Sequence, residues 1–170
     1  MTATRLEKLK SRWEKRPGVS EKSLARFLER IGPVKLPADY LDLMRFSNGG
    51  KASFGPHGLE FCLDPVHKIF PNSRLYSAPK HVLLIGELTG LNVLAGLFTL
   101  GFDTRAKRAK LAWMYGYHFE ELQMLGSNLE EALLHMEPLA RRIKRESDTA
   151  NALDVIYIPT PRTVVSKMLE

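Results

Sequence analysis

The chain has 170 residues, 44% hydrophobic and 26% charged. That is an ordinary globular composition, which excludes disorder and fibrous repeats and predicts one core. Its formal charge is +6, and its longest apolar stretch, Leu91 to Leu100, contains Asn92 and Gly96 and is too short to span a bilayer.

The charge is uneven. Residues 1–45 hold 11 Lys/Arg against 6 Asp/Glu, residues 46–104 hold 4 against 4, residues 105–147 hold 8 against 6, and residues 148–170 hold 2 against 3. Two readings follow: outer faces of amphipathic helices, or a patch that attracts a phosphate backbone or an acidic protein. The lone cysteine, Cys62, excludes an intramolecular disulfide and a multi-cysteine zinc site, and the inert core is its expected place. The first segment has no apolar signal core and mixes Glu7 and Glu14 with its cations, so the cytoplasm is the expected compartment.

In chain order, Leu6, Leu9 and Trp13 predict a helix over Thr4–Lys15, closed by Pro17-Gly18. Ser20 predicts the cap of a second helix with Leu24, Phe27, Leu28 and Ile31 on one face, stopped at Gly32-Pro33. Pro37 predicts the first position of a third, with Asp39 beside its positive end, and Asn48-Gly49-Gly50 its C-cap and exit turn. Period-two runs at 52–54 and 59–63 predict a hairpin around Gly55 to Gly58. Asp64-Pro65 opens a short helical piece through Phe70, and 71–79 reads as loop with a turn of helix.

Strands are then predicted over 81–85, 92–100, 111–115 and 121–125, with the basic connector Asp103 to Lys110 at a loop tip, where protection of a sheet edge is one explanation for its charge. Ser127-x-x-Glu130 is a capping box for a closing amphipathic helix that Pro138 should kink or divide, and residues 148–170 read as an extended tail.

The search for chemistry yields little. Gly49-Gly50-Lys51-Ala52 lacks the first glycine and the terminal hydroxyl of a phosphate-binding loop. His57, His67, His81, His118 and His135 lack metal-ligand spacing, and His118 beside Glu120 and Glu121 is only adjacency. Trp113, Tyr115 and Tyr117 alternate, so a strand points them to one face. Trp113 suits the core, whereas Tyr115 and Tyr117, taken as lying beside Arg105, Lys107, Arg108 and Lys110, would suit a protein partner or a single-stranded nucleic acid. The expectation is a binding protein with no catalytic residue, cofactor or metal.

Leu36-Pro37-Ala38-Asp39-Tyr40, a short helix and then Asn48-Gly49-Gly50 resemble the signature of the SUKH superfamily, which joins yeast cell-wall-synthesis regulators with many bacterial toxin-immunity proteins. Glu29 to Gly32, Leu84 to Glu87 (read as a strand before a glycine-rich turn), Phe98 to Leu100, Trp113 to Tyr115 and Ser127 to Met136 fall where that family has its next elements, so the resemblance spans residues 20–137. It implies an α+β domain with a central, largely antiparallel sheet flanked by helices; the expected domain covers 1–147 and adds, outside the resemblance, an extra helix in 1–17. It also implies a non-enzymatic module that binds and neutralises a cognate toxin.

Leu36, Pro37, Tyr40, Asn48, Gly49 and Gly50 would then be scaffold, and toxin-facing residues do not transfer. Immunity proteins against basic nucleases are often acidic, whereas this chain carries +6. A non-nuclease toxin, an acidic partner or a regulatory role fits that sign better, and basic nucleic-acid binding is the alternative. Specificity is expected in the first helix and in the tail.

Overall fold

In the computed structural model, which describes residues 3–54, 59–90, 98–115, 119–138 and 141, seven strands form one antiparallel sheet in the order of the chain. They are β1 (Glu14–Lys15), β2 (Gly50–Phe54), β3 (Leu59–Leu63), β4 (Val82–Gly90), β5 (Phe98–Asp103), β6 (Lys110–Tyr115) and β7 (Gln123–Gly126). The helices are α1 (Arg5–Lys10), α2 (Glu21–Ile31), α3 (Ala38–Phe46), α4 (Val66–Leu75) and α5, helical over residues 129–138 and at position 141. The fold is α+β. No helix among the described residues is long and apolar enough to cross a membrane.

Alternation along the strands divides the buried side chains between the two sheet faces. Leu83, Ile85, Leu111 and Trp113 join the main core with Leu6 and Leu9 of α1, Leu24 and Phe27 of α2, Tyr40 and Leu43 of α3, Ile69 of α4 and Leu133 of α5. Val82, Leu84 and Met114 form a smaller cluster with Ala78, Phe119 and Leu122. All six residues of β5 are buried, as a strand covered on both faces requires. A bulge between Leu84 and Gly86 resets the phase of β4, so that Leu88 reaches the main core and Glu87 faces the other way.

Several expectations are corrected. The first helix ends at Lys10, and Glu14–Lys15 pairs with Gly50 and Lys51 instead. The cause is Trp13: its ring is buried 6.1 Å from Phe61 and its Nε1 donates to the Gly49 carbonyl at 3.3 Å, which turns the chain against the sheet. The helix expected to end at Phe70 runs through Pro71 to Leu75. Ser73 Oγ donates to the Ile69 carbonyl and accepts from Leu84 N, and Asn72 Nδ2 reaches Asp64 Oδ2, so tertiary bonds offset the donor missing at Pro71.

Leu84 to Glu87 lie in a strand as expected, but β4 runs on to Gly90 and does not stop at Ile85. The basic connector joins β5 to β6 within the sheet and protects no edge, since β1 and β7 are the outer strands. Residues 138 and 141 have helical backbone, and residues 139–140, where the kink or division expected from Pro138 would show, lie outside the described residues. The turn at 55–58, the strand portion 92–97 and the tail 148–170 lie outside the described residues.

Helix starts are tied to distant elements. Asn48 Oδ1 accepts from Val66 N, the first residue of α4. Asp39 Oδ1 accepts from Tyr40 N in its own helix, while its Oδ2 accepts from Leu129 N and Glu130 N at the start of α5, at 2.7 and 3.2 Å. Glu130 in turn accepts from Arg5 N and Leu6 N of α1, both at 2.9 Å. The expected capping box therefore shifts: Asn128 Oδ1 takes the Glu131 amide, Glu131 takes the Ser127 amide, and Glu130 serves another helix.

Asp39→Ala leaves two α5 donors without an acceptor and is expected to cost about 1–2 kcal/mol, read from the urea midpoint at unchanged m. Tyr40 is fully buried edge-to-face on Phe102, and its hydroxyl has no hydrogen-bond partner among the described residues. Tyr40→Phe is therefore expected to raise stability by roughly 1 kcal/mol in the same urea measurement, and a loss of that size would show the hydroxyl to be satisfied.

Candidate partner-binding groove

The segment before α3 is held in place by its own main chain. Lys35 N donates to the Lys107 carbonyl at 2.8 Å and Ala109 N donates to the Lys35 carbonyl at 2.9 Å, a short parallel bridge between Lys35 and Arg108. Leu36 and Pro37 are buried directly after it. This bridge brings the resemblance motif and the basic connector to the two sides of one open groove of about 820 Å³, whose third wall is the start of α5 at Ser127, Asn128 and Glu130.

The charges of the groove are unevenly committed. Lys35, Arg108 and Lys110 are exposed on its walls, and none has an ion-pair partner among the described residues. The two acids on the walls are engaged elsewhere: Asp39 holds three backbone amides, and Glu130 holds two amides and lies 3.8 Å from the Arg5 guanidinium. Small apolar side chains, Ala38, Ala106 and Ala109, line the space between. The site is preorganised and electropositive, with no aromatic ring among its described lining residues.

The expected partner-facing residues divide accordingly. Arg108 and Lys110 line the groove. Arg105 does not: its guanidinium is bound to the Asp103 carboxylate, with Nε 3.0 Å from both oxygens, and its amide also donates to Oδ1. That hydrogen bonding holds the Asp103 carboxyl below its ordinary range. Lys107 contributes its carbonyl to the bridge, and its exposed side chain is not part of the lining.

The expected place of Tyr115 is corrected by its backbone register. Tyr115 pairs with Phe98 at the end of β6 opposite the connector, about 17 Å along the strand from Lys110 at ~3.3 Å per residue. An antiparallel hairpin puts its loop and its open end at opposite ends of the strands, so the backbone of Tyr115 lies away from the connector. The Tyr115 side chain and all of Tyr117 lie outside the described residues, as does His118. Trp113 is in the core as expected, 4.9 Å from the Phe98 ring.

The remaining motif residues build a corner. Gly49 and Gly50 adopt φ of +77° and +126°, and a side chain on Gly50 would meet the Trp13 indole at 2.6 Å. Ser47, not Asn48, caps α3. Its hydroxyl donates to the Gly49 carbonyl at 2.6 Å and accepts from Arg16 N at 2.9 Å. Sequence reading missed Lys35 and Ser47, and gave Glu130 a local cap in place of its bonds to α1. Lys35 adjoins the motif and could have been noticed, whereas the bonds of Ser47 and Glu130 run to residues 31 and 125 positions away and leave no local signal.

A second, smaller pocket of about 130 Å³ lies where β3, β4 and β5 set Cys62, Glu87 and Thr99 side by side. Burial raises the Cys62 thiol above its ordinary value, which opposes thiolate chemistry. Burial first, and the Asp64 charge second, raise the Glu87 carboxyl. Among the described residues no group of three His, Cys, Asp or Glu is placed to hold a metal ion. No family model matches the chain, and no curated protein matches it significantly.

The two shifted carboxyls give opposite pH dependences. Asp103, lowered in the folded state, contributes stability above its unfolded pKa of about 3.9 that is lost as pH falls through the folded value. Glu87, raised, contributes below its unfolded pKa of about 4.3 and loses that contribution as pH rises through the folded value. Urea titrations at about pH 7 and about pH 2.5 should therefore show Asp103→Asn destabilising only at the higher pH. Glu87→Gln should be stabilising there and near neutral at the lower pH.

Proposed function

We propose that this chain is a non-enzymatic, SUKH-like protein-binding module of the cytoplasm, acting as an immunity protein that neutralises a cognate toxin by covering it. The observation that carries the reading is the groove in which the Leu36-Pro37 motif and the Arg108–Lys110 connector face one another across a rigid main-chain bridge. The α+β architecture, a meandering antiparallel sheet with helices packed into one core, is the scaffold that the motif resemblance implies. Backbone bonds fix the points from which the groove's side chains project, and occlusion of a partner's site needs no more chemistry than a fitting surface.

Nucleic-acid binding shares the same cations, Lys35, Arg108 and Lys110. Among the described residues it has no stacking component beside them, because the strand that carries Tyr115 runs away from these cations. Protein binding is the better-supported reading.

The test places a photo-crosslinking residue at Ala106 in the groove and, separately, at Lys22 on α2, in tagged protein expressed in its native cells. The expected result is one stoichiometric protein cross-linked from Ala106 and not from Lys22, whose toxicity on expression is relieved by co-expressing this chain. Equal cross-linking from both positions, a nucleic-acid adduct, or no relief of toxicity would refute the reading.

A further inference from the structure

We infer that the groove is built for an acidic, partly apolar segment of the partner protein, whose carboxylates bind Lys35, Arg108 and Lys110 while its small apolar side chains lie on the exposed Ala38 and Ala106. This rests on the protein-binding reading and adds to it the chemistry of the bound surface.

Charge bookkeeping at the groove decides the sign. A wall carrying Asp39, Glu130 and three cations looks nearly balanced in sequence. Asp39 is surrounded by the amides of Tyr40, Leu129 and Glu130, and Glu130 by those of Arg5 and Leu6. Each carboxylate is thus turned onto helix amides and offers few lone pairs to a ligand. The cations have no such engagement: the connector's other arginine, Arg105, is the one that Asp103 neutralises, and Lys35, Arg108 and Lys110 are left exposed without ion pairs among the described residues. What the groove offers a ligand is therefore positive charge on a small apolar floor.

That combination selects among anions. A nucleic acid places a phosphate at every nucleotide and uses exposed rings to hold its bases, and the described lining holds no aromatic ring. An acidic polypeptide alternates carboxylates with apolar side chains at strand or helix spacing, and so matches cations set around exposed alanines. The main-chain bonds through Lys35, Lys107 and Ala109 fix the backbone of two walls, so that part of the cost of ordering the site has been met in folding.

The experiment is a random twelve-residue peptide display library selected at physiological salt on the full immobilised chain, with labelled oligo-dT as a parallel probe. The wild type is compared with Arg108→Glu/Lys110→Glu and with a charge-matched control on α2, Lys22→Glu/Arg26→Glu; thermal unfolding confirms that each variant is folded. Expected is enrichment of peptides rich in Asp and Glu interspersed with apolar residues on wild type and control. Synthesised, these should bind about tenfold or more weakly to the groove variant and lose affinity as salt rises. Arg108→Lys should retain most of the binding. If Arg108→Glu/Lys110→Glu does not fold, Lys35→Gln takes its place, with a partial loss expected.

Enriched peptides without acidic bias, acidic peptides that bind the groove variant and the wild type alike, no enrichment at all, or groove-dependent binding of oligo-dT alone would each overturn the inference. A cross-linked protein partner found at Ala106 together with a non-acidic peptide profile would remove this inference and leave protein binding standing. Acidic peptides that bind the groove while no protein partner cross-links would do the reverse.

Discussion

Every α-helix begins with main-chain amides that its own backbone cannot satisfy, and in this protein three of those beginnings are satisfied from somewhere else in the chain. Asn48, leaving α3, takes an amide of α4. Asp39, entering α3, takes two from α5, and Glu130 of α5 takes two from α1. Each bond orients one helix against another while the apolar faces supply the bulk of the burial. The arrangement is a relay, so the position of α1 depends on α5 and that of α5 on α3. The residues that start the relay are those of the Leu36 to Gly50 region, in which the resemblance to a known superfamily is concentrated.

This division of labour has an electrostatic consequence. A carboxylate that accepts several amides is spent as a docking group, whereas a lysine or arginine on the same wall stays available to solvent and to a partner. The acids near the groove are committed to the fold and the bases are not. A formal charge of +6 spread over the sequence says little about where a ligand would be attracted. The pattern of commitments says more, and it singles out Lys35, Arg108 and Lys110 from a connector in which Arg105 looked equivalent.

Much of the scaffold was legible locally. Ser20 caps α2 as its type and place suggest, Gly32 ends it at φ +84°, and strands β2, β3 and β6 fall within a few residues of their expected runs. Errors arose where a distant contact outweighed a local preference. Trp13 reads as the last member of a helical stripe until its indole finds the Gly49 carbonyl, and Pro71 reads as a stop until Ser73 and Asn72 anchor the turn around it. Tyr115 reads as a neighbour of the basic loop because both flank one strand. The strand itself keeps them apart.

The sequence by itself determined the element types, the helix-to-sheet corner and the absence of any local catalytic signature, because propensity, capping and the need for positive φ act over a few residues. Tertiary structure alone decided which cations share a groove, which acids are withdrawn into helix caps, and which face of β4 Glu87 occupies after the bulge. Those outcomes rest on hydrogen bonds and register between residues tens of positions apart, and no local pattern encodes a partner at such a distance.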